Sequence, residues 1–405
     1  MANSFVNSSL ISKDAAIYFK NMDTFMATGN RAYQGMWSNG MYDAGDTISI
    51  RLDNQFEVKQ GDVVTVGDIS ESTLPLTLQP IYSVPVEYTT VDLTTDLYQG
   101  WSDRVLRPAI RNLVSKINYD IAAAARTQVY HTAGNTTSAI NSFAAVEEPG
   151  TIMMELGCPL DDRWYMAMTP KDGSALKSAL QNSFNDRLNR DISDRSALGY
   201  LSYFDMYFDQ SINNQTVTAT KGAGPFTVNA NVLDGATSIT IAGLTPTTGT
   251  IAAGERFEVA GVQSVNRINK TATGRTMSFV ATAAATADGA GVATVSVAPT
   301  VYGPLVPTLQ NVSALPVATD VVTFDSGVSQ YKVNLAYTAN ALHVVMPPLA
   351  PLDTPESEVF TDAESGISLR ISKSGEILNN KNILRIDALV GYRWVGEQAV
   401  RVHSV

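Results

Sequence analysis

Three histidines, His131, His343 and His403, and one cysteine, Cys158, are the residues a metal centre or a nucleophile–base pair would draw on first. Imidazole and thiolate ligate transition metals and exchange protons near neutral pH. Their spacing supports neither role. No HExxH or HxH pattern is present, and one cysteine makes neither an intrachain disulfide nor a Cys-rich zinc site. His131 falls near the end of a predicted helix, where the dipole favours a cation. His343 lies in the apolar run Ala341–Met346, and Cys158 precedes Pro159 in an apolar stretch. All four read as structural. A serine-nucleophile elbow (GxSxG), a phosphate loop (GxxxxGK[ST]) and a dinucleotide fingerprint (GxGxxG after a strand) are all missing. Ser374–Gly375 lacks the elbow pattern, and Gly222–Ala223–Gly224 sits in a polar linker.

Carboxylates are the remaining source of chemistry. Glycosidases set two of them about 5–9 Å apart, and Asp161–Asp162 and Glu147–Glu148 are the pairs available. Sequence neighbours rarely face each other, so turns and caps are the reading. The run Asp353, Glu356, Glu358, Asp362 and Glu364 suggests calcium but lacks EF-hand spacing. Tyr200, Tyr203, Phe204, Tyr207 and Phe208 would stack bases only with basic residues interleaved, and none are. A core or interface is expected there. No catalytic, cofactor-binding or metal-ligating residue is predicted, and no cofactor.

The elements that would position such groups follow from composition and pattern. The chain has 405 residues, 44% hydrophobic and 17% charged, enough for two or three packed units. Its formal net charge of −11 disfavours direct phosphate-backbone binding and keeps a concentrated subunit soluble. Met1–Leu10 lacks a signal-peptide pattern, and no window approaches the roughly 20 apolar residues of a membrane span. No membrane partner is expected, and synthesis in the cytoplasm is.

Residues 9–27 predict an amphipathic helix capped by Ser12 or Asp14. Period-two alternation at Thr47–Leu52 predicts a strand, with further strands at Val63–Val66 and Ile81–Thr90; Gly61, Gly67, Pro75, Pro80 and Pro85 punctuate them as an extended hairpin or loop. Leu97, Trp101, Val105, Leu106, Ile110, Leu113, Val114, Ile117 and Ile121 predict a helix over 95–130, about 50 Å long and ended by Gly134–Asn135. Pro108 marks a kink or a first turn. Asp162–Thr169 predicts a buried strand, Pro170–Ser183 a helix, and Asp186–Gly199 a loop. From 213 to 330 the chain turns rich in Thr, Val, Ala and Gly. Alternating runs at Thr237–Ile241, Phe257–Val259, Thr276–Val280 and Ala293–Val297, with turns at Asp234–Gly235 and Asp288–Gly289, predict a small barrel or sandwich interrupting a mixed domain.

Four stretches carry a family resemblance: residues 101–121 (WSDRVLRPAIRNLVSKINYDI), 254–261 (GERFEVAG) with the sequence on to Phe279–Val280, 333–349 (VNLAYTANALHVVMPPL) and 366–394, whose Arg385-x-Asp387-x-Leu389-x-Gly391 precedes aromatic residues. In this order the chain resembles the coat proteins of short-tailed bacteriophages, the subgroup whose capsid fold carries an inserted β-barrel. The resemblance implies an α+β tailed-phage major capsid fold with an inserted all-β domain. Its parts would be an N-terminal arm (1–45), an extended loop (46–92), a spine helix with the peripheral domain (93–135), a first axial part (136–215), the inserted barrel (216–330) and a C-terminal axial and peripheral part (331–405). It implies a structural, non-enzymatic major capsid protein that self-assembles into an icosahedral head around double-stranded DNA. Its partners would be copies of itself in hexamers and pentamers, a scaffolding protein, a portal and, as an optional partner, a decoration protein. DNA contact would be indirect. Its location would be the virion, after assembly in the host cytoplasm. The residues leave two alternatives open: another virion or surface-layer structural protein, and a carbohydrate-active enzyme with a β-rich module.

Overall fold

Apolar residues at three- and four-residue spacing wind Arg107–Gln128 into a 22-residue helix. Ile110, Leu113, Val114, Ile117 and Ile121 are buried along it. The computed structural model describes residues 8–35, 47–56, 71–89, 102–160, 162–180, 199–325, 328–353, 356–362, 366–376 and 381–405. The predicted strand at Val63–Val66, the start of the predicted helix before Ser102 and the predicted loop up to residue 198 lie outside them.

The long helix ends earlier than its periodicity predicts. A π-type turn, Ser102–Leu106, precedes it. Pro108 falls at the junction of that π-type turn and the regular helix, where its missing N–H interrupts the ordinary bond pattern. At about 1.5 Å per residue the helix spans about 33 Å. It stops at Gln128 and not at Gly134–Asn135, because residues 131–134 form a parallel strand against Val400–His403. At Gly134 φ is +76°, and a Cβ there would lie 2.6 Å from the His403 carbonyl oxygen.

The chain divides into two units, Met1–Ile50 with Pro75–Ile121 and Leu342–Arg393, and Arg51–Leu74 with Ala122–Ala341 and Trp394–Val405. In the first, the predicted N-terminal helix is two helices, Ser8–Met22 and Phe25–Thr28. Ser12 and Asp14 lie inside the first and do not cap it; Asp23 Oδ1 accepts from the Met26 N–H at 3.1 Å and separates the two. Ile11, Ala15, Ala16 and Phe19 bury one face. A four-stranded antiparallel sheet follows, ordered Glu356–Thr361, Ser368–Glu376, Lys381–Ala388, Tyr82–Thr89. Pro85 is tolerated on its edge strand, where no ladder donor is required on the outer side. Thr47–Arg51 pairs with Thr73–Thr77 in a two-stranded sheet, and its inward residues Ile48 and Ile50 are buried.

The second unit holds two β structures. A seven-stranded mixed sheet runs His131–Gly134, Ala399–Ser404, Gln330–Thr338, Trp164–Met168, Phe204–Phe208, Tyr200–Leu201, with Asn214–Thr216 also pairing on Gln330–Thr338. The helix Pro170–Leu180 starts at the predicted residue, and Thr169, which the sequence reading did not single out, caps it, its hydroxyl accepting from the Asp172 N–H at 3.2 Å and donating to Asp172 Oδ2 at 2.7 Å. The Phe143–Glu155 helix was not foreseen, since Pro149–Gly150 reads as a breaker. Ser142 caps it, and burial of Val146, Ile152 and Met153 holds it despite the lost bond.

The Thr/Val/Ala/Gly-rich region closes into a six-stranded barrel, ordered Ala236–Ala242, Ala293–Val301, Ala272–Ala281, Arg256–Val265, Val321–Phe324, Phe226–Val228 and back to the first. The alternating residues Ile239, Ile241, Phe257, Val259, Phe279, Val295 and Val297 fill it. Phe257 stacks on Phe279 with centroids 5.8 Å apart, and Phe226 meets Phe324 edge-on at 5.2 Å.

Candidate functional site

The residues that looked capable of chemistry are spread over the fold and consumed by it. His131 is buried in a strand. Burial and Arg267 push its pKa down to about 3, so the helix-end cation expected from sequence is a neutral imidazole. His343 is buried on Leu342–Val345, edge-on to Tyr33 at 5.4 Å, and burial lowers it to about 4. His403 is buried on Ala399–Ser404, and burial, then Arg401 and Arg256, depress it far below the ordinary imidazole value. Burial raises the Cys158 thiol to about 12, and its Sγ lies 3.5 Å from the Glu397 carbonyl oxygen.

Three of the candidate carboxylates are likewise engaged. Asp162 Oδ2 accepts from Asn340 at 2.8 Å, and Glu148 Oε2 accepts from the Gly134 N–H at 3.3 Å. Glu356 pairs with Lys373 at 3.4 Å. Asp161 and Glu364 lie outside the described residues. Among the described residues no group of three His, Cys, Asp or Glu stands together as a metal site, and no helix is long and apolar enough to cross a membrane. The aromatic stripe packs as interior and rim. Phe204 is wholly buried against Trp164 at 5.8 Å, Tyr207 meets Tyr165 at 5.8 Å, and Tyr200 is 66% exposed.

What the geometry builds instead is a firm seat for the barrel. Val217 N–H donates to the Ser329 carbonyl at 2.9 Å where the two connecting segments meet. The barrel's Asn266–Thr271 turn docks beyond the Phe143–Glu155 helix. Asn266 Nδ2 donates to the Glu155 carbonyl at 2.6 Å, and Arg267 N–H donates to that of Leu156 at 3.1 Å. Arg275 Nε pairs with Glu155 Oε2 at 2.6 Å, and Arg267 with Glu397 at 3.0 Å. Under the barrel, Arg256 Nη1 and the Tyr331 hydroxyl each donate to Asp325 at 3.1 Å. At the start of the Pro170–Leu180 helix, Asp172 Oδ2, wholly buried, accepts from Thr169, Asn334 and Ser404. Sequence reasoning missed this polar seat. Its members are ordinary Arg, Asn and Asp separated by up to 275 positions, as with Arg401 Nη1 and the Arg126 carbonyl.

All of these residues except Ser404 lie within a single recognisable sequence pattern. The family model described as P22 coat protein, gene protein 5, matches residues 71–402. The chain belongs to the P22 coat protein family. It is a phage major capsid protein, a subunit of the icosahedral head, built to assemble with copies of itself into a shell of capsomers. The head capsid of the virion is its location. No curated protein matches the sequence significantly. Solved structures similar to this coat protein include one from Mycobacterium phage Che8, with a TM-score of 0.47 and 10% identity over 94% of this chain and 90% of that one. The capsid of Ralstonia phage GP4 aligns with a TM-score of 0.46 and 8% identity over 96% and 90%. The CUS-3 coat protein I-domain aligns with 26% of this chain and 100% of its own, at 20% identity and a TM-score of 0.20.

Proposed function

We propose that this coat protein works without any catalytic, cofactor or metal centre. The observation that carries this reading is the fate of its reactive groups: every histidine and the thiol are buried and held in the uncharged form. Large apolar side chains stand on the outside instead, among them Leu305 at 84%, Leu233 at 74% and Ile268 at 73% exposure. Surfaces shared between copies are what such a molecule offers. Many weak contacts add through multivalency, so each interface need not be strong.

In this reading residues 1–45 act as an arm, 46–92 as a loop laid over a neighbour, 93–135 as the spine, 136–215 and 331–405 as the axial and peripheral parts, and 216–330 as the insertion. The subunit belongs to a short-tailed phage. Shells form in the host cytoplasm around a scaffolding protein, incorporate a portal, accept a decoration protein as an optional partner and expand as double-stranded DNA enters. The acidic balance of the chain keeps the wall from gripping that DNA.

Negative-stain microscopy of the recombinant protein, with and without its candidate scaffold, tests the reading. Closed shells or capsomers are expected. A monomer that stays compact under all conditions and turns over a sugar substrate would overturn it. Precursor and filled shells are expected to differ in the angle of the spine helix and arm, and identical subunits in both would refute the expansion step.

A further inference from the structure

We propose that the seat beneath the inserted barrel encloses one small inorganic anion, held on the Nε–H and Nη2–H edge of Arg401. Arg401 is wholly buried in the strand Ala399–Ser404. Its Nη1 donates to two neutral carbonyls, of Arg126 at 2.8 Å and Gly254 at 3.0 Å. Its Nε and Nη2 have no partner among the described residues. These two N–H groups form the side of a guanidinium that grips oxyanions in a fork. His403 lies two residues on, hence on the same face of the strand. It is 1% exposed, and its Nε2 is unpartnered as well.

The carboxylates nearby are already committed. Asp325 Oδ1 takes Arg256 Nη1 at 3.1 Å, and Oδ2 takes the Tyr331 hydroxyl at 3.1 Å, with His403 Nδ1 at 4.0 Å. Glu258 is held in a short contact with the other terminal nitrogen of Arg256. The neighbouring pair Lys221–Glu255, 2.6 Å apart, neutralises itself. Arg126 adds a further cation, whose Nη1 goes to the Asn214 carbonyl at 2.7 Å and whose Nε is unpartnered. Three guanidiniums (Arg126, Arg256, Arg401) against two carboxylates (Asp325, Glu258) leave an excess of one positive charge at this seat. An uncompensated buried ion is costly, and each orphaned donor adds to that cost. A water molecule satisfies the donors and leaves the charge, whereas a monovalent anion satisfies both. Binding there ties the spine helix, the barrel and the last strand to one point, because Arg401 already bonds to a carbonyl from each of the first two.

The test uses the full-length protein, dialysed into sodium gluconate and titrated with chloride, bromide or nitrate at constant ionic strength. The melting temperature is expected to rise by a few degrees and then level off. Arg401→Lys keeps a charge and loses the fork, so its response should vanish, while the surface variant Lys116→Gln should keep it. If Arg401→Lys does not fold, high-resolution microscopy of wild-type shells prepared in bromide decides: an ion within hydrogen-bonding distance of Nε and Nη2 is expected. A flat titration, a response that survives in Arg401→Lys, or density at that edge that is water alone would each overturn the proposal.

Discussion

Arg370 and Asp387 face each other across two antiparallel strands, the guanidinium Nη2 and Nε lying 2.6 and 3.1 Å from one oxygen of a wholly buried carboxylate. The other oxygen of Asp387 takes Arg385 Nε at 2.6 Å. Asp387 is the acid of the Arg385-x-Asp387-x-Leu389-x-Gly391 pattern, so the motif encodes an electrostatic clamp inside the four-stranded sheet. Removing one partner of a buried pair strands the other. Asp387→Ala should therefore lower the stability of the unassembled subunit by about 3–5 kcal/mol, whereas Arg370→Met combined with Asp387→Leu should recover most of the loss. Urea unfolding measures both, and an Asp387→Ala subunit as stable as the wild type would remove the clamp from the account.

The histidines give acid sensitivity with a definite sign. Each is neutral in the fold and free to take a proton near pH 6.5 once unfolded. Stability from this source is complete above about pH 6.5 and declines as the pH falls towards the folded values of about 4 for His343 and about 3 for His131. Each unit of that gap corresponds to about 1.4 kcal/mol. His343→Leu should flatten the fall in melting temperature between pH 7.5 and 5, when compared with wild type under the same buffers. Equal slopes in the two proteins would contradict the buried, neutral assignment.

How much of this was readable depends on how local the cause is. The barrel strands announced themselves, since alternation at Thr237–Ile241 and Phe257–Val259 follows from a wall with one filled side. Thr169-Pro170-Lys171-Asp172 contains its own helix start. The end of the long helix at Gln128 was not legible, because its alanines favour helix and a strand from the distant C-terminus overrides them. The barrel seat was equally hidden. Nothing near Arg401 in sequence marks it for burial, and its partners at Arg126 and Gly254 come from other parts of the chain. Family membership was legible through the order of its stretches, and the absence of reactive motifs pointed the same way.

Gly243 shows how tightly the barrel is closed where the chain leaves Ala236–Ala242 beside the start of Phe226–Val228. Its φ is +89°, and a Cβ there would lie 2.1 Å from the Pro225 carbonyl oxygen. Both faults act together, since an L side chain is strained at this φ and the obstacle is backbone, which cannot swing away. Gly243→Ala should cost about 2 kcal/mol or more. Gly274→Ala is the matched control, at φ +80° with open space around the added methyl. Thermal melting of the pair separates steric exclusion from backbone strain. If both variants melt alike, the close approach to Pro225 contributes nothing.

Cys158 offers a reporter of opening in the seven-stranded unit. The thiol is 5% exposed, within a cluster that includes Trp164, Met166 and Leu176. Two barriers protect it. The reagent must reach it, and the thiolate must form despite a pKa near 12. At pH 8 that leaves on the order of one thiolate in ten thousand, against about a quarter for a free cysteine. An aromatic disulfide reagent should accordingly label the folded subunit slower than the urea-unfolded chain by several orders of magnitude. The rate should rise with urea in step with unfolding, because exposure requires the surrounding core to part. Asp387→Ala, whose clamp lies in the other unit, tests whether the two units open together. Labelling accelerated in proportion to its stability loss indicates one cooperative transition, and an unchanged rate indicates that the seven-stranded unit opens independently. Complete labelling of the native protein within minutes would place the thiol at the surface and contradict the packing around it.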